Sequence, residues 1–119
     1  MATHVEIFLR PLVARSTQSV VGEVSALAGV PLPREPGYED EAYAGVCDDI
    51  VVELFAGHGY EDDDDMPFGS HPFMLRFRSL SRDVDAAQVF LKKVYADLAK
   101  TGHYSLFATY DLQYRLDLG

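Results

Sequence analysis

The chain has 119 residues, is 48% hydrophobic and carries a formal net charge of −9. That size and composition suit one globular domain with its own core and argue against wholesale disorder. With 19 acidic against 10 basic residues, direct nucleic-acid binding is disfavoured, because phosphates call for Lys and Arg gathered on one face.

Met1-Ala2-Thr3-His4 leads straight into strand-like alternation without a basic, apolar leader, and no apolar run approaches the ~18 residues of a membrane span. The lone Cys47 makes neither an internal disulfide nor a thiolate metal cage. A cytoplasmic protein of one domain, residues 1–119, is therefore expected.

Val5, Ile7 and Leu9 alternate with Glu6, Phe8 and Arg10 as a first strand, and Pro11 ends it. Ser16 or Thr17 suits the N-cap of a helix whose apolar residues are Val20, Val21, Val24, Leu27 and Ala28, with Gly29 beyond its end. Residues 30–49, broken by Pro31, Pro33, Pro36 and Gly37, read as a long acidic loop, with one helical turn expected over Glu39–Tyr43. Ile50–Ala56 is apolar on both faces apart from Glu53, which predicts a central strand. Residues 57–69 form an acidic hairpin connection to a third strand, where Phe73, Leu75 and Phe77 alternate with Met74, Arg76 and Arg78. Ser81 or Asp83 caps a second helix with the stripe Val84, Ala87, Leu91, Val94 and Leu98, ended by Gly102.

The clearest alternation runs from His103 to Gly119, with Tyr104, Leu106, Ala108, Tyr110, Leu112, Tyr114, Leu116 and Leu118 on one face. Fully extended it would reach roughly 50 Å, more than a domain this size spans. It must bend, break near Thr109–Asp111, or project to pair with a second chain as a homodimer. The order strand, helix, strand, strand, helix, strand predicts an α+β, ferredoxin-like split βαβ (βαββαβ) fold: an antiparallel sheet with two helices on one face.

Charge is distributed unevenly. Residues 35–65 hold 12 of the 19 acids and no Lys or Arg, so the segment is −12 and the remainder +3. No Gly-x-Ser-x-Gly elbow or phosphate-binding glycine loop occurs. Cys47 beside Asp48 and Asp49 lacks the electropositive setting of a nucleophilic thiolate. The Glu61–Asp65 run lacks the ligand spacing of a calcium loop. His58 and His71 flank that run, but at no dedicated metal spacing. No cofactor, metal site or enzymatic activity is expected.

Glu53 is expected to ion-pair with Arg76 or Arg78 across neighbouring strands. The acids are interleaved with tyrosines, residues that suit protein interfaces. These features predict a small acidic protein-binding module, an immunity protein or inhibitor covering a basic site on a partner protein, with no nucleic-acid or membrane partner. The expected contact residues are Tyr38, Glu39, Asp40, Glu41, Tyr43, Tyr60, Asp62, Asp63 and Asp64. The alternative is a ferredoxin-like homodimer that holds a small anionic ligand on Arg76, Arg78 and Arg115, or a divalent metal, in a cleft on the face away from the helices, with Phe8 and Phe107 beside the arginines.

Overall fold

A computed structural model describes residues 4–118. In chain order its elements are β1 (His4–Pro11), α1 (Thr17–Ala28), β2 (Ala42–Cys47), β3 (Ile50–Phe55), a 3-10 turn (Phe68–Ser70), β4 (Phe73–Ser79), α2 (Val84–Thr101), β5 (Tyr104–Tyr110) and β6 (Tyr114–Leu116). The strands form one sheet in the order β2-β3-β4-β1-β5-β6, and every neighbouring pair is antiparallel. The architecture is α+β, a six-stranded antiparallel sheet with two helices.

The helices begin and end where local chemistry dictates. The Ser16 hydroxyl accepts from the Ser19 amide, and the Asp83 carboxylate accepts from the Ala86 amide. Each satisfies one of the N–H groups that a first helical turn leaves unpaired. Both helices end on a glycine in the left-handed region, Gly29 (φ 70°) and Gly102 (φ 69°), where a side chain would be strained.

Strand alternation then sorts residues into two cores. On one face Val5, Ile7, Leu9, Val52, Leu54, Leu75, Phe77 and Ala108 pack with Val20, Val21 and Val24 of α1 and with Ala87, Leu91, Val94 and Leu98 of α2. On the other, Phe8, Phe55, Met74 and Phe107 pack with Met66 and Phe68 from the connection between β3 and β4. Phe8 stacks on Phe107 with centroids 5.0 Å apart, and Phe68 meets Phe8 edge-on at 4.8 Å. The face expected to open as a ligand cleft is thus covered, and Phe8 and Phe107 are buried beneath the connection.

Two further expectations change. The stretch 30–49 is not all loop: Ala42–Cys47 is an edge strand paired with β3 through a turn at Asp48 and Asp49, and no helical turn forms over Glu39–Tyr43. Its small residues hide it, because Gly45 admits a close backbone approach. A Cβ there would lie 2.1 Å from the Pro31 carbonyl oxygen. Segment 33–35 also runs along its outer edge, where the Glu35 amide donates to Ala42 O (2.8 Å) and the Ala44 amide to Pro33 O (3.1 Å), blunting an otherwise open strand. The C-terminal alternation is two strands: it breaks at Asp111–Gln113, and β6 folds back so that Thr109 faces Arg115 and Tyr110 faces Tyr114. Ordering therefore puts Leu112 against the core containing Phe8, while Tyr114 is exposed.

Candidate functional site

Glu53 anchors the ground beneath the acidic segments. It is buried, and Oε1 accepts from Nε of Arg76 (2.9 Å) and Nε of Arg78 (3.2 Å) while Tyr38 O–H donates to Oε2. Arg76 also lies over the Phe55 ring at 5.0 Å. Burial pushes the Glu53 pKa up, but the bonds from Arg76 and Tyr38 and the two arginine charges outweigh it, so the net shift is downward. The expected ion pair is formed, with both arginines rather than one.

The acids themselves stand on the surface. Glu39, Asp40, Glu41 and Glu61–Asp65 are all exposed, and among the described residues none of them forms an ion pair. Asp62 Oδ1 accepts from the Gly69 amide (2.7 Å). The backbone of Asp63 exchanges both hydrogen bonds with Met66, at 3.1 and 2.8 Å. Buried Met66 and Phe68 thus tie down a tip whose carboxylates remain in water. Asp40 and Glu41 share an open cavity of about 450 Å³ with Ala56, Gly57, His58 and Gly59. An adjoining recess of about 160 Å³ has Asp40, His58, Tyr60 and Arg76 among its walls.

The three tyrosines divide by role. Tyr60 is 40% exposed and its ring stacks on His58 at 5.3 Å. Tyr38 is half-buried, edge-on to Phe55 and bonded to Glu53. Tyr43 lies in the helix-side core, its O–H donating to Glu41 and accepting from Gln18 Nε2 (3.1 Å). Tyr43 is therefore not a surface ring; it holds the segment that presents Glu39–Glu41.

His58 and His71 do approach one another, but not ring to ring. Nε2–H of His58 donates to the His71 carbonyl (2.7 Å), and its Nδ1 accepts from the Tyr60 amide (3.0 Å). His71 donates from Nδ1 to Pro67 O (3.1 Å), and its Nε2 meets Ser105 Oγ at 2.9 Å. Burial above all pushes the His71 pKa down. These rings fasten the connection to the sheet, and among the described residues no group of three metal-ligating side chains converges. The three arginines considered for an anion do not converge either. Arg76 and Arg78 are on β4, with β1 and β5 between them and Arg115 on β6. Arg115 lies 5.3 Å above Phe107 and donates to the Asp65 carbonyl.

Two further polar clusters stand apart from the acidic segments. Buried Glu6 accepts from Thr109 Oγ1 (2.7 Å) and the Leu112 amide (3.0 Å) and contacts His4. Glu23 gathers Arg15 (2.7 Å), Tyr104 (2.7 Å) and His103 (3.0 Å). Burial raises the Glu23 pKa, but bonds from His103, Tyr104 and Arg15 bring it down to about 2. A carboxylate placed among apolar strand residues, as Glu6 is, was the available signal for the first; the second joins residues about 80 positions apart and left none.

No helix among the described residues is long and apolar enough to cross a membrane. Comparison with protein-family models, with curated proteins and with solved structures finds no match to this chain.

Proposed function

We propose that the chain is a small protein-binding module, an immunity protein or inhibitor whose acidic surface covers a basic site on a partner protein in the cytoplasm, and that it is not an enzyme. The observation that carries this reading is the exposure of two acidic segments, Glu39–Glu41 and Glu61–Asp65, none of whose side chains forms an ion pair among the described residues. A protein that leaves so many like charges unpaired bears their mutual repulsion in isolation and gains from a cationic partner. Tyr60, half-exposed between the segments, supplies a rigid ring of the kind that anchors interfaces. The contact set is accordingly Glu39, Asp40, Glu41, Tyr60, Asp62, Asp63 and Asp64, with Tyr38 and Tyr43 acting from beneath.

Leaving aside β2 and β6 at the edges, the order β3-β4-β1-β5 supports a ferredoxin-like core for this module. The anion-binding alternative has less support, since Arg76 and Arg78 are already engaged by Glu53. Affinity capture from host lysate, with the native chain and with Glu39→Lys/Asp40→Lys/Asp63→Lys/Asp64→Lys as baits, tests the reading. A basic protein retained by the native chain alone supports it; equal retention by both removes it.

A further inference from the structure

The turn joining β5 to β6 holds a conformation its residues do not favour. Asp111 and Leu112 have φ of 53° and 59°, the left-handed region that costs energy for any residue with a Cβ. Contacts from β1 hold it there. The Asp111 amide donates to His4 O (3.2 Å), and the Leu112 amide donates to Glu6 Oε1 (3.0 Å). His4 Nε2 lies 3.3 Å from Asp111 Oδ1, while His4 Nδ1 contacts Glu6 Oε2.

The His4 ring therefore stands between two carboxylates, one buried and one at the turn. Only the imidazolium donates to both at once; a neutral ring keeps one N–H and turns a lone pair toward the other carboxylate. The other charges facing it are on β4, where Arg78 is opposite His4 and Arg76 opposite Glu6, and both arginines are bound to Glu53. The hydrogen bond to Glu6 raises the His4 pKa; burial and Arg76 oppose this, the charges of Glu6 and Asp111 add to it, and the net shift is upward. Beyond the turn, Arg115 of β6 donates to the Asp65 carbonyl at the end of the acidic run. The turn, β6 and the acidic connection are thus joined in series.

We propose that the β5–β6 turn is a proton-operated latch: the His4 imidazolium clamps Asp111 against Glu6, which seats β6 and, through Arg115, the acidic connection, and loss of that proton releases them. The sign follows from linkage. A raised folded-state pKa gives a stabilisation that is complete below the unfolded histidine value and is lost as pH rises through the folded value. The latch concerns this chain alone, so its test stands or falls independently of the proposed partner.

The experiment is NMR on the intact chain from about pH 5.5 to about pH 9, following the His4 ring resonances and the exchange protection factor of the Leu112 amide. The expected result is a fall in protection of about tenfold whose midpoint coincides with the His4 titration. His4→Gln should show the lower protection at every pH, with no step. Protection that stays flat while His4 titrates, or a step of the same size in His4→Gln, overturns the proposal.

Discussion

Replacing Glu53 by Gln asks whether charge, rather than shape, secures the face beneath the acidic segments. The side chain is 1% exposed and accepts from Arg76, Arg78 and Tyr38. Gln fills the same space but leaves two guanidinium groups side by side with no anion. Removing one partner of a fully buried pair costs about 3–5 kcal/mol. Here the side chains of Arg76 and Arg78 remain 26% and 40% exposed, so water screens part of the repulsion, and about 2 kcal/mol is expected. For a chain of this length that lowers Tm by roughly 8 °C. Urea unfolding at neutral pH reads the loss directly, with an unchanged m-value. Adding Arg76→Met should restore part of it, because the repulsion then disappears with one of its sources. The native chain should also lose stability as pH falls through the lowered Glu53 pKa, and the Gln variant should lack that part of the acid slope. A loss below about 0.5 kcal/mol, within the range of ordinary surface substitutions, would refute the charge argument.

Other substitutions probe the remaining supports. Gly45→Ala drives a methyl group into the Pro31 carbonyl and should cost about 3 kcal/mol by urea unfolding, at the upper end for overpacking. Phe68→Ala removes the ring that seats the acidic connection on Phe8. A loss of about 3 kcal/mol is expected, with increased amide exchange in residues 60–70. Glu23→Gln should flatten the acid limb of the stability profile. The native carboxylate contributes fully above its unfolded value and loses that contribution as pH falls toward about 2. Glu39→Lys with Asp40→Lys should change stability by less than about 0.5 kcal/mol in thermal unfolding, because both positions are exposed and unpaired.

The sequence carried much of this fold because local and tertiary preferences agree along most of the chain. Ser16 and Asp83 cap, Gly29 and Gly102 terminate, and the alternation in β1 and β4 separates two faces. Glu53 was legible for the same reason: one acid in an apolar strand needs a base, and the neighbouring strand offers two. Misreadings occurred where tertiary contact overrode local pattern. Ala42–Cys47 has little strand propensity and pairs because β3 presents an edge to it. Tyr43 counted as an interface residue by composition, but pairing turns its ring into the core. The covered second face depends on Met66 and Phe68, two apolar residues just after an acidic run; they were the signal that this connection packs rather than waves in solvent. The Glu6–His4–Asp111 clamp joins positions more than 100 residues apart and is visible only in three dimensions.

The proposal that the unpaired acids of Glu39–Glu41 and Glu61–Asp65 recognise a basic partner is tested most directly by affinity capture from host lysate at low and moderate salt. The account predicts one basic protein held by the native chain, weakened as salt screens the contact, and lost when Glu39, Asp40, Asp63 and Asp64 are reversed to Lys in a variant with unchanged Tm. A partner that binds native and reversed chains alike, at either salt concentration, would contradict it.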